Sequence, residues 1–85
     1  MQTQIFPREV TSGVPRITLT GHERLHIEQH QGLIDYAQEN IIMRTACGLV
    51  YIVGSGMIFS RYTAEEAIIT GRIDSISFQY KGGSK

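Results

Sequence analysis

Residues 22–28 read HERLHIE, and the fold turns on whether this stretch coils or extends. Coiled, its first five residues satisfy the H-E-x-x-H pattern of zinc peptidases, in which one helix face carries both histidines and sets the glutamate beside a metal-bound water. Extended, Leu25 and Ile27 form an apolar face, and Arg24, His26 and Glu28 a polar one. Gly21 precedes the stretch and His30-Gln31-Gly32 follows it, so turn signals bracket a strand-sized segment. The strand reading prevails. In a strand, residues four apart are separated by ~13 Å at roughly 3.3 Å per residue, too far for one zinc ion to bridge. His30 also fails to complete the longer H-E-x-x-H-x-x-G-x-x-H pattern. If the backbone continues without a bulge, His22, His26 and His30 share a half-exposed polar face with Arg24 and Glu28. The alternative is a metal clip between strands or between subunits.

The same period recurs on either side. Ile17 and Leu19 alternate with Thr18 and Thr20, and Ile76, Phe78 and Tyr80 alternate with Ser75, Ser77 and Gln79. Residues 49–53, LVYIV, are apolar throughout and β-rich, as in a central strand covered on both faces. Turn signals recur at intervals of about 8 to 12 residues, marked by Gly21, Gly32, Gly48, Gly54 and Gly71. An all-β domain follows, with eight short, mainly antiparallel strands expected near 16–20, 24–29, 32–37, 40–46, 48–53, 57–62, 67–70 and 72–80. Gly54-Ser55-Gly56 is read as a hairpin turn, and Thr63 with Glu66 as the cap of one helical turn. No long helix is expected. A sandwich, a roll and a barrel all remain open. ITLTG at 17–21 and AIITG at 67–71 echo each other too weakly to establish a repeat.

With 85 residues there is room for one core. The expected organisation is an N-terminal arm at 1–14, the β domain at 15–80 and a flexible C-terminal tail at 81–85. Eight basic and eight acidic residues give a formal net charge of zero, without the basic stripe that nucleic-acid binding needs. The single cysteine, Cys47, fits a reducing compartment, and the opening MQTQIFPREV lacks the apolar core of a signal peptide. The longest uncharged run, 45–60, falls short of the roughly 20 residues a spanning helix requires.

No catalytic set emerges. Cys47 has no assigned base, Gly54-Ser55-Gly56 lacks the Lys-Ser/Thr of a phosphate loop, and Asp35, Glu39, Glu65, Glu66 and Asp74 show no acid–base pairing. The chain is therefore read as a non-enzyme with no cofactor and no resident metal.

Three segments carry a family resemblance: VPRITLTG at 14–21, RLHIEQHQGLIDYAQENIIMRTACGLVYIVGSG at 24–56 and ITGRIDSISF at 69–78. Together they resemble the YabP/YqfC family of sporulation proteins, the YqfC branch most. The resemblance spans about residues 6–78. It rests on Pro15-Arg16-Ile17, Gly21, Ile27-Glu28, His30, Gly32, Tyr36, Ile41, Arg44-Thr45, Gly48, Gly54 and Gly71-Arg72-Ile73. It implies a small β-rich protein of endospore formation, made in the mother cell and without an established reaction. The partner it implies is a sporulation membrane protein encoded nearby, which would hold the chain at the outer forespore membrane.

An adaptor suits the composition, since a small β domain offers sheet edges for protein–protein interaction but little room for a shielded cleft. Edge-strand addition and self-association into a homo-oligomer are both open to it. The expected contact surface is Tyr51, Met57, Phe59 and Tyr62, and the alternative is that all four serve the core. The remaining functional alternatives are a small histidine metal-binding protein and an HExxH metallopeptidase.

Overall fold

The computed structural model describes residues 14–80. The expected tail at 81–85, and the expected arm except Val14, lie outside them. Six strands run in chain order: β1 (Arg16–Thr20), β2 (Arg24–Glu28), β3 (His30–Ala37), β4 (Asn40–Thr45), β5 (Gly48–Tyr62) and β6 (Glu66–Tyr80). They form one open, wholly antiparallel sheet in the order β1-β2-β6-β5-β4-β3. There is no helix among the described residues.

The eight expected strands become six because two glycine signals mark bends inside strands. β5 and β6 are each 15 residues long. Gly54-Ser55-Gly56 lies within β5, where the ladder with β6 shifts register on both sides of it, and Gly71 lies within β6. Both strands bend here, and their backbones approach very closely. A Cβ at Gly54 would collide with the Arg72 carbonyl oxygen, and one at Gly71 would stand 2.5 Å from the Gly56 oxygen and 2.8 Å from the Met57 Cα. Gly71 also has φ +131 and Gly56 φ +59, regions that residues with a Cβ rarely enter. Glycine is required here by crowding as well as by backbone geometry.

The bend is sharp. A straight 15-residue strand would span ~50 Å. Yet His30 pairs in the ladder with Thr45, itself opposite Gly48 at the start of β5, and also bonds the Thr63 carbonyl just past the end of β5. β5 therefore folds back over itself, and the two halves of one sheet enclose the core between them. Neither a two-sheet sandwich nor a closed barrel forms among the described residues. Residues 48–53 of β5 lie between β4 and the end of β6, and the later part of β5 pairs with the start of β6, which carries β2 on its other side. Leu25 and Ile27, Ala67 and Ile69, and Met57 come from one half; Ile41 and Met43, Val50 and Ile52, and Ile73 come from the other. Ile17, Phe59 and Ile76 pack against this cluster.

Each bend is clamped by a hairpin turn. The β3–β4 turn supplies the Gln38 and Glu39 carbonyls to the Met57 and Gly54 amides, both 3.1 Å. The β1–β2 turn supplies the His22 and Glu23 carbonyls to the Ile73 and Gly71 amides at 2.8 and 3.2 Å. Amides that lose ladder partners at the corners are satisfied in this way, as buried backbone must be. Thr63 does cap, but it caps a strand-to-strand turn rather than a helical one. Its hydroxyl accepts from the Glu66 amide at 2.9 Å and the Glu65 amide at 3.3 Å. The ITLTG/AIITG echo dissolves as well, because Gly21 sits in a turn and Gly71 inside a strand.

Candidate interaction surface

The HERLH stretch divides between a turn and a strand. His22 and Glu23 belong to the β1–β2 turn and are exposed, whereas Arg24, Leu25 and His26 open β2 with Leu25 fully buried. His26 points to the opposite face, where Nε2 lies 2.9 Å from Glu66 Oε1 and Nδ1 lies 3.9 Å from Glu28 Oε2. Gln29 adopts φ +65 and interrupts the extended chain, so His30 does not continue the polar face. It turns inward and is buried. Its Nδ1 accepts the Gly32 amide at 3.0 Å while Nε2 donates to the Thr63 carbonyl at 2.9 Å, a pair of bonds that a neutral ring with its proton on Nε2 completes. The three histidines thus occupy three environments instead of one face. Among the described residues no three His, Cys, Asp or Glu side chains gather as a metal site.

From this geometry the purified protein is expected to carry no stoichiometric zinc, and zinc titration to leave its melting temperature unchanged. Metal analysis checks this. Tight zinc lost in both His22→Ala and His26→Ala would overturn the strand assignment of HERLH.

The four residues expected at the contact surface separate. Met57 is fully buried and belongs to the core, its amide held by the Gln38 carbonyl of the β3–β4 turn. Phe59 is half-buried, its ring centroid 5.6 Å from Tyr36 and 5.3 Å from Tyr62. Tyr62 is exposed and stacks obliquely on His30 at 5.0 Å. Tyr51 sits half-buried on the outer face of β5, opposite Ser77, and its hydroxyl donates to Gln79 Oε1 at 2.8 Å. Of the glycines read as turn positions, Gly21 lies in the β1–β2 turn with φ +60 and Gly48 opens β5. Gly32 lies at a register shift in β3, and Gly54 and Gly71 are the bend positions described above.

Large apolar side chains reach solvent elsewhere, most of all at the end of β6, where Phe78 is 52% and Tyr80 71% exposed. Sequence alternation marks Ile76, Phe78 and Tyr80 as a core-facing row, and they do face inward. They stay uncovered because β2 pairs only with the first part of β6, which leaves the last part without a strand on that side among the described residues. Beside them runs an apolar groove of about 280 Å³, with Val14, Pro15 and Ile17 on one wall and Val50, Phe78 and Tyr80 on the other. Cys47, exposed in the β4–β5 turn, stands at its rim.

Gly54-Ser55-Gly56 is no phosphate cradle, since Gly54 is buried against Arg72 and Ile73. Among the carboxylates singled out earlier, Asp74 pairs with Arg72 at 3.0 Å and Glu66 with His26, and no two of them pair with each other.

Comparison with known proteins gives a consistent placement. The model of the YabP family matches residues 11–85. The uncharacterized protein YqfC of Bacillus subtilis (strain 168) is similar to this chain, 28% identical over 73 residues that cover 86% of this chain and 78% of that protein. No solved structure matches it.

Proposed function

The chain belongs to the YabP family, and from that premise we propose that it is a non-catalytic sporulation protein, an adaptor that docks on a membrane protein at the developing forespore. The carrying observation is where the structure spends its side chains. His26 and His30 are committed to bonds that hold strands and turns together, while Phe78, Tyr80, Tyr62 and Ile58 are left with about half or more of their surface in water. Polar groups serve the fold and apolar ones are left exposed, which suits recognition better than bond-making chemistry.

The mother-cell cytoplasm beside the outer forespore membrane is the location this reading assigns, with the neighbouring-encoded membrane protein as anchor. No helix among the described residues is long and apolar enough to cross a bilayer, so a protein contact would supply the attachment. A fluorescent fusion is expected to gather around the forespore when the anchor is present and to spread through the mother cell when the anchor gene is deleted. Tyr62→Glu is expected to weaken the recruitment without unfolding the chain, because that ring is 46% exposed. Undiminished forespore localisation in the deletion would overturn the adaptor reading.

A further inference from the structure

We propose that the uncovered end of β6, residues 75–80, is a self-pairing edge that joins two copies of this chain into one continuous sheet. Among the described residues four stretches of edge have no strand beside them, and three are blunted. The second half of β5, past its pairing with β4, carries Arg61 and register shifts between Ser55 and Ile58 and between Phe59 and Arg61. β1 is only five residues long, begins with Arg16 and follows Pro15. β3 is broken by register shifts between His30 and Gly32 and between Leu33 and Asp35. Short strands, charges, prolines and bulges are the devices that keep edges from pairing. Residues 75–80 have none of them. They read SISFQY, without charge or proline, and their ladder with β5 runs without a shift from Ser75 opposite Val53 to Tyr80 opposite Gly48.

The side chains favour a second copy as the occupant. A two-fold axis at Ser77 sets Ile76 of each copy opposite Phe78 of the other and Ser75 opposite Gln79. This matches inward side chains with inward and outward with outward, as an antiparallel ladder requires. The inner rows Ile41–Ile52–Ile76 and Met43–Val50–Phe78 would each continue into the other copy. Phe78, now half in water, would gain the cover it lacks. No like charges meet in this register, and a chain of zero formal net charge does not repel its copy at long range. A pairing this short buries less than the roughly 1,200 Å² of a standard stable interface, so dissociation in the micromolar range is expected. The pairing draws on Phe78, one of the exposed side chains counted for docking, but it stands without the membrane-protein reading, because Tyr62→Glu tests recruitment and the Ser77 variants test pairing.

Sedimentation velocity of the full chain between about 1 and about 200 µM is expected to show monomer converting to dimer. Ser77→Lys and Ser77→Glu set like charges facing each other at the axis, and each is expected to weaken dimerisation at least about tenfold. Ser77 is exposed, so both variants are expected to melt like the parent when dilute. An equimolar mixture of the two is expected to restore dimers, a rescue that damage to the fold would not produce. A parent chain that stays monomeric throughout overturns the proposal, as does a dimer that both variants leave intact or that mixing fails to restore.

Discussion

Alanine at Gly54 or at Gly71 is expected to abolish cooperative folding, although it adds a single methyl group. For Gly54 the cause is steric alone. The new Cβ would overlap the Arg72 carbonyl oxygen and crowd its carbon and the Ile73 Cα at 3.0 and 3.1 Å, all of them backbone atoms that no rotamer change moves aside. Relief requires parting β5 from β6 at the corner, which breaks ladder bonds and opens the core beside Met57 and Ile73. Gly71 adds a backbone cost of about 1–3 kcal/mol, because φ +131 lies outside the range natural to alanine. A chain of 85 residues has a total stability of about 4 to 13 kcal/mol, so either substitution consumes most or all of it. Gly21→Ala is the control: φ is +60, but the Cβ would meet nothing within 4 Å, and a loss of only about 1–2 kcal/mol is expected. Circular dichroism melts distinguish these outcomes. Equal, small losses at all three positions would mean that the strands do not bend where the structure bends them.

The second large effect is expected at His30. Truncation to alanine strips the Thr63 carbonyl and the Gly32 amide of their partners in a nearly closed site, and each unsatisfied group costs about 1–3 kcal/mol. A fall in melting temperature of at least about 8 °C follows for a domain of this size, and of up to about 45 °C if both groups cost their full amount. His30→Gln can still donate to the Thr63 carbonyl, and it is expected to recover part of the loss. His26→Ala, which removes a partly exposed contact to Glu66, is expected to shift the melt far less. If His26 proved the more damaging substitution, the structural role assigned to His30 would be wrong.

Much of the strand content is legible in the sequence because period-two alternation is a local property, and Leu25, Ile27, Ile17 and Leu19 announce their strands unaided. The bends are not legible, for a physical reason. A glycine that turns the chain through a hairpin and a glycine that lets two strands touch look identical in one dimension, and only the partner strand tells Gly71 from Gly21. Burial fails in the same way at Met57, which looks like surface material until the bend of β5 turns it into the core. Phe78 and Tyr80 show the reverse error. Their alternation is that of a core row, and exposure follows only from β2 ending its pairing at Thr70. The histidines needed one further fact, the positive φ of Gln29, which nothing in the local pattern signals.

Because β6 lies at the centre of the sheet and joins its two halves, the order in which the ribosome delivers the strands matters. β2 must wait for β6, its partner some forty residues downstream, as the match of Arg24 with Thr70 shows. Until β6 emerges, β1 and β2 form a hairpin with no layer to lie on, and β3, β4 and the first part of β5 form a meander with one side unsatisfied. The nascent chain therefore holds its apolar rows exposed until the last of the described strands has been made, and then completes its core in a late closure dominated by long-range pairing, which is intrinsically slow. During that interval a chaperone has its best access to those rows.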